Sequence, residues 1–235
     1  MSHAANPMDP EQVARVRDVF DDWALRGRAE GMEAGHGAAV RVGLDWLALQ
    51  PGERFLDIGC GNGYAVRWAA AQAGPTGLAA GIDVAPAMVA RARELSVDVP
   101  ATEFQVATWP ASPYPPAHFD AVLSMEVFYY LPDLQASLAA VRESLVPGGR
   151  FALLMDHYEE NVASHAWPQQ LGVGMHRLTR GAWWRALEEA GFEVEAQEQV
   201  RQPRGAEDEA AWKVQVGTLL LVARRPSLGG AEPAI

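Results

Sequence analysis

The stretch FLDIGCGNGY, residues 55–64, decides how the rest of the chain is read. An apolar run reaches an acid, Asp57, and passes into glycines at 59, 61 and 63. Glycines on alternate positions make a turn whose backbone a ligand can approach closely, because no Cβ stands in the way. The turn follows a strand-like run and opens a helical one, the setting of cofactor-binding α/β folds. A dinucleotide fingerprint, G-x-G-x-x-G, needs its third glycine at position 64 when counted from Gly59, and Tyr64 stands there. Asp57 is a second mismatch. A carboxylate before the turn repels a pyrophosphate settling on the helix N-terminus and suits a ligand with positive charge.

Asp83 ends the next apolar run, in GIDVAP, where a carboxylate can accept hydrogen bonds from ribose hydroxyls. The ligand so inferred is a nucleoside with a cationic part and no pyrophosphate. S-adenosylmethionine carries an adenosine, a sulfonium and an ammonium.

Farther out, strand and helix take turns. The strand-like runs are RFLDIG, TGLAAGID, TEFQVA, FDAVLSM, GRFALLMD, FEVEAQEQV and WKVQVGTLLLVA. Helical patterns cover Tyr64 to Ala73, Pro86 to Leu95, Asp133 to Leu145 and Thr179 to Ala190. This alternation predicts an α/β fold with a mostly parallel sheet and helices on both faces. The last two strands lack a helix between them, which predicts an antiparallel hairpin at the C-terminal end. Ligands in such sheets sit at the carboxyl ends of the strands, where the strand order reverses.

Before the sheet, DPEQVARVRDVFDDWALRGRAE reads as a helix with Asp9 as N-cap and Pro10 at its first position. Val13, Val16, Phe20 and Trp23 share its apolar face. A second helix is expected over Ala38 to Leu49. Between them Gly27, Gly31 and Gly35 weaken any helix, and this segment is expected either to form a lid with Met32 and His36 facing the site, or to be an ordinary hinge. Residues 1–50 are therefore read as an N-terminal helical lid segment, 51–225 as the main domain, and 226–235 as a flexible tail.

FLDIGCGNGY and GIDVAPAMVARARE resemble the first two motifs of the class I S-adenosylmethionine-dependent methyltransferases. YPPAHFDAVLSMEVFYYLPDL and LVPGGRFALLMD resemble the later ones, in the branch that includes ubiquinone/menaquinone-biosynthesis enzymes (methyltransferase type 11). The resemblance covers about residues 52–156 and implies a Rossmann-like seven-stranded sheet. It also implies that Asp57, with the backbone of Gly59, Cys60 and Gly61, faces the methionine part, and that Asp83 holds the ribose. Val84 and Met88 would lie against the adenine, with Met125 also at the cofactor. Where the family carries an acid after the third strand, this chain has Thr108 followed by Trp109; Thr108 can accept a hydrogen bond, and Trp109 either covers the ring or packs in the core.

The activity implied is methyl transfer to an oxygen, nitrogen or carbon of a small, partly apolar acceptor. A non-catalytic S-adenosylmethionine-binding module of the same fold is the alternative. Tyr130 stands where the family often has histidine and is expected to orient the acceptor or to pack. The loop from Asp156, DHYEENVASHAWPQQLGVGMHRLT, is expected to run about twenty residues without a clear helix and to hold an acceptor pocket. Each of His157, His165 and His176 reads more readily as an exposed loop residue; His157, nearest the strand end, is the candidate base among them. No tight ligand spacing argues for a metal.

Composition excludes other classes. The 235-residue chain carries a formal net charge of −11, with Lys213 the only lysine, so nucleic acid and anionic membranes are poor partners. No run is long and apolar enough for a membrane span and the start lacks a secretory pattern, so a cytoplasmic location is expected. Cys60, the only cysteine, cannot form an internal disulfide.

Overall fold

The computed structural model describes residues 10–203 and 211–227. Asp9, the first residues of the chain and nearly all of the expected tail lie outside the described residues.

Two helices precede the sheet: α1 (Pro10–Leu25) and α2 (Gly31–Leu47), joined through Gly27 and a one-turn 3-10 segment, Arg28–Glu30. The helix expected over 38–49 thus begins earlier, and the glycine-rich stretch is helical. Packing explains it at Gly37 and Gly43, though not at Gly31, where a Cβ would meet nothing within 4 Å. A Cβ at Gly37 would lie 3.0 Å from the Trp68 ring, and one at Gly43 3.1 Å from Leu154 Cδ1. Absent side chains let α2 lie close on its neighbours, and that contact outweighs the weak helix propensity of glycine.

The core runs β1 (Arg54–Ile58), α3 (Tyr64–Ala73), β2 (Leu78–Asp83), α4 (Pro86–Leu95), β3 (Thr102–Val106), β4 (Phe119–Met125), α5 (Leu134–Ser144) and β5 (Leu145–Met155). After it come α6 (Trp167–Leu171), α7 (Arg180–Glu189), β6 (Glu193–Val200), α8 (Ala211–Gln215) and β7 (Thr218–Arg224). The seven strands are ordered β3-β2-β1-β4-β5-β7-β6, with β7 antiparallel to both neighbours and the other pairings parallel. The fold is thus a Rossmann-like methyltransferase sheet with an antiparallel C-terminal pair. The run WKVQVG does not extend β7, as its alternation predicts; it forms α8, and Gly217 (φ 87°) separates the two.

Alternate residues of β1 serve opposite cores. Leu56 and Ile58 face a cluster with Leu138 and Val141 of α5 and Trp183 and Leu187 of α7. Phe55 faces Val40, Leu44 and Leu47 of α2 and Ala65, Val66 and Ala69 of α3. A strand buried on both faces needs a near-continuous apolar run, which is what FLDI supplies apart from its acid. Asp57 is the exception and sits one residue from the strand end, where the chain first turns one way to β2 and β3 and later the other way to β4. That switch point opens a crevice.

Candidate active site

At the switch point lies a cavity of about 390 Å³, bounded by the carboxyl ends of β1, β2 and β4 and roofed by α1 and α2. The glycine turn forms its floor. Gly59 and Cys60 donate backbone N–H bonds to Ile82 O at 2.8 and 2.9 Å, which ties the turn to β2. Gly59 and Gly61 have φ of 78° and 51°, in the left-handed region. A Cβ at Gly59 would collide with Val127, and one at Gly61 would stand 2.9 Å from Met32 Sδ. Glycine is therefore favoured at both positions by backbone conformation, and at Gly59 by space as well.

Asp83 accepts from Gly61 N and Ala85 N, both at 2.9 Å, so its carboxylate braces the turn as well as facing the cavity. The N-terminal segment is pinned to the same region by two bonds that the sequence did not announce. Asn62 Nδ2 donates to Ala29 O at 2.7 Å, and Asp21 of α1 accepts from Ala87 N at 2.8 Å, capping α4 from another helix.

Asp57, Gly59, Cys60, Gly61, Asp83 and Val84 all line the cavity. So do Thr108, Trp109, Met125 and Tyr130. Trp109 is also a core residue, its Nε1 donating to Ser137 O at 2.9 Å. Met32 and His36 reach the cavity from α2.

Two expected residues do not reach it. Met88 is fully buried beneath α1, with Ala29 and Ala85, because the docking of α1 on α4 covers that face. His157 is fully buried behind the wall. Its Nδ1 lies 3.1 Å from Ser164 O, and its ring meets Tyr129 edge-on and stacks on Trp167. The loop after β5 folds back through Asn161, whose Nδ2 donates to Asp156 O at 2.7 Å, and this turns His157 inward. The loop is also not free of helix: it holds a 3-10 turn, Val162–Ser164, and α6. His165 and His176 bond the backbone oxygens of Glu159 and Leu131; of the loop's ring residues only Trp167 reaches the cavity.

The cavity wall carries acids that the sequence reading left in the background. Glu126 lines it with φ 63°, a left-handed conformation that costs a side-chain-bearing residue energy. Its Oε2 accepts from Tyr129 OH at 2.6 Å and its Oε1 from Asp156 N. Asp156 lies behind it, with Oδ2 3.7 Å from His36 Nε2.

Burial shapes the charges. It pushes the Asp57 carboxyl up to about 8, with the nearby Asp83 adding to the effect. Asp83 rises to about 6 by burial, held back by its backbone N–H donors. Glu126 lies well above the usual range by burial and then by Asp156, and Asp156 rises to about 6 by burial. His36 falls to about 4 through burial and the Lys213 charge. Burial also raises the Cys60 thiol, which argues against a reactive thiolate.

Comparison with known proteins follows this geometry. Residues 56–153 match the family model described as a methyltransferase domain. The chain is 30% identical to the 27-O-demethylrifamycin SV methyltransferase of Amycolatopsis mediterranei, over 82% of this chain and 78% of that one. It is 33% identical to the 2-phytyl-1,4-naphtoquinone methyltransferase of Thermosynechococcus vestitus, over 61% of each. Among solved structures it is similar to the methyltransferase held in complex with the Haloferax volcanii Trm112 activator (TM-score 0.79, 30% identity, 88% of this chain and 97% of that one). A further likeness is to an S-adenosylmethionine-dependent methyltransferase from Mesorhizobium loti (TM-score 0.66, 26% identity, 81% and 97% covered). The chain belongs to the class I S-adenosylmethionine-dependent methyltransferases, in the type 11 branch, and S-adenosylmethionine is its cofactor. No helix among the described residues is long and apolar enough to cross a membrane.

Proposed function

We propose that this enzyme methylates a small, partly apolar acceptor at oxygen, nitrogen or carbon. One observation carries the reading: the cavity that holds the glycine turn and its two acids continues under α1 against Val13, Val16, Phe20 and Trp23. Tyr130 and Trp167 close the same apolar compartment. Its size and lining suit a ring-bearing small molecule. The named curated relatives act on such molecules, a rifamycin and a naphthoquinone.

The residues present fit the cofactor. The backbone at Gly59, Cys60 and Gly61 can be approached closely, Asp57 offers a carboxylate to the cationic methionine part, and Asp83 keeps acceptor capacity for ribose hydroxyls. Val84, Thr108 and Trp109 wall the adenine side, with Met125 beneath. S-adenosylmethionine supplies a methyl group on a sulfonium, whose departure leaves a neutral thioether. The protein's part is alignment and exclusion of water. Tyr130, its ring against Phe20, orients the acceptor. His157 has no route to the acceptor and is a packing residue in this reading. The N-terminal segment, described from residue 10 to 50, acts as a lid over the domain that follows it, held down by the Asn62–Ala29 and Asp21–Ala87 bonds and jointed at Gly27, φ 72°.

The test is methyl-labelled S-adenosylmethionine incubated with the protein and a small-molecule extract of its source cells, resolved by mass. A new labelled small molecule is expected. Label appearing only in a macromolecular fraction would contradict the reading.

A second reading concerns a protein partner. The two sheet edges differ: β6 carries Glu193, Glu195 and Glu198, whereas β3 carries one exposed acid, Glu103, and ends at exposed Val106. An unpaired edge strand invites strand addition. Since the Haloferax volcanii relative was solved with an activator, we infer that the β3 edge docks one here. Co-purification lost in Val106→Lys, with the fold intact, is the expected result; co-purification unchanged in that variant would remove this edge from consideration.

A further inference from the structure

At the β4–β5 side of the cavity, His36, Glu126 and Asp156 each turn one ligand-type atom toward a common point, all within 4.8 Å of one another. They come from α2 and from the ends of two adjacent strands, so no sequence spacing relates them. Asp156 is 1% exposed, and its Oδ1 accepts no hydrogen bond. Its Oδ2 faces His36 Nε2 at 3.7 Å, too far for a hydrogen bond and close to the separation of two ligands on one metal. Glu126 uses one lone pair of each oxygen, toward Tyr129 OH and Asp156 N, and keeps others free.

Two buried carboxylates side by side call for a positive charge. Among the described residues no lysine or arginine forms an ion pair with either. The Lys213 charge acts on both from a distance, but its ammonium donates to Gly35 O at 2.5 Å and forms no ion pair with either. We propose that His36, Glu126 and Asp156 bind a divalent cation at the acceptor end of the cavity. One imidazole with two carboxylates favours a first-row ion such as Mn²⁺, Fe²⁺ or Zn²⁺ over the all-oxygen preference of Ca²⁺ or Mg²⁺. Three protein ligands leave coordination positions open. Because Glu126 and His36 line the cavity, those positions are open to a molecule bound in it. Resting on that reading, the cation selects an acceptor with two neighbouring oxygens, such as a hydroxyl beside a carbonyl, and holds it by both.

The experiment uses the full chain, stripped with a chelator and titrated with Mn²⁺ and with Zn²⁺ by calorimetry, without donor or acceptor. One equivalent of cation is expected, weakened by more than about tenfold in His36→Gln and in Asp156→Asn, since loss of a direct ligand costs at least as much as loss of an outer partner. Titration with S-adenosylhomocysteine checks that each variant is folded, and His36→Gln, which is less buried, serves if Asp156→Asn does not fold. No binding of either ion at millimolar concentration, or equal binding by wild type and folded variants, overturns the site. Either result leaves the labelled-methyl experiment independent, so failure here and failure of the small-molecule reading are distinguishable.

Discussion

The two ends of the cavity are built differently. Asp57, Gly59, Gly61 and Asp83 come from two neighbouring strands and one turn, and they are tied together by bonds from Gly59, Cys60 and Gly61 to β2. The end proposed for the acceptor is gathered from α1, α2, the β4 loop and α6, segments separated by most of the chain. One end is a local device with a fixed backbone; the other is a tertiary assembly of side chains. A family can keep the first and vary the second, which is how one fold serves many acceptors.

If this division holds, a change at the local end should affect the cofactor most. Asp83→Ala removes the brace on Gly61 N together with the ribose partner, and S-adenosylhomocysteine affinity should fall by about 1–3 kcal/mol per charged bond lost. Calorimetry on a variant shown to be folded by circular dichroism reads it; unchanged affinity would break the assignment of Asp83.

The next effect is one of pH. In the unliganded protein Asp57 and Asp83 hold protons that the unfolded chain would release above about pH 4. Their contribution to the stability of the unliganded protein should therefore decline as pH rises from about 4 through about 8. A cationic ligand needs the Asp57 carboxylate, so binding should release a proton below about pH 8 and strengthen by up to about tenfold per pH unit. Calorimetry in buffers of different ionisation enthalpy measures the released proton. Proton uptake, or none, would separate Asp57 from the cofactor.

His157→Ala sharpens the boundary between wall and cavity. The fully buried imidazole should cost about 1–3 kcal/mol of stability when removed, with turnover of the folded fraction little changed. A collapse of kcat with normal stability would return His157 to the reaction. The smallest effect is expected for Tyr130→Phe, about 1 kcal/mol in kcat/KM, seen in the acceptor parameters and not in cofactor affinity.

The same division explains what could be read from the sequence. The strands through β5 and the helices at Tyr64–Ala73 and Pro86–Leu95 were legible because each carries its own period and its own stop signal. The glycine turn and the two acids that line the cavity could be singled out for the same reason: they lie in short runs. Met88 was misplaced because the docking of α1 on α4, a contact no local pattern encodes, covers it. His157 was misjudged because proximity to a strand end says nothing about which way a loop folds. The apolar WKVQV has too few residues to separate a period of two from one turn of helix. His36 was noticed only as a lid residue, and its meeting with Asp156 needed the sheet order to be known.

The most direct test of a cavity with a local donor end and an assembled acceptor end is a crystal structure with S-adenosylhomocysteine. The ribose hydroxyls should meet Asp83, the methionine ammonium should meet Asp57 beside the glycine turn, and the sulfur should point toward Tyr130 with the compartment under α1 left for the acceptor. A ligand lying under α1 against Phe20 and Trp23, or one that leaves Asp83 without contact, would contradict it.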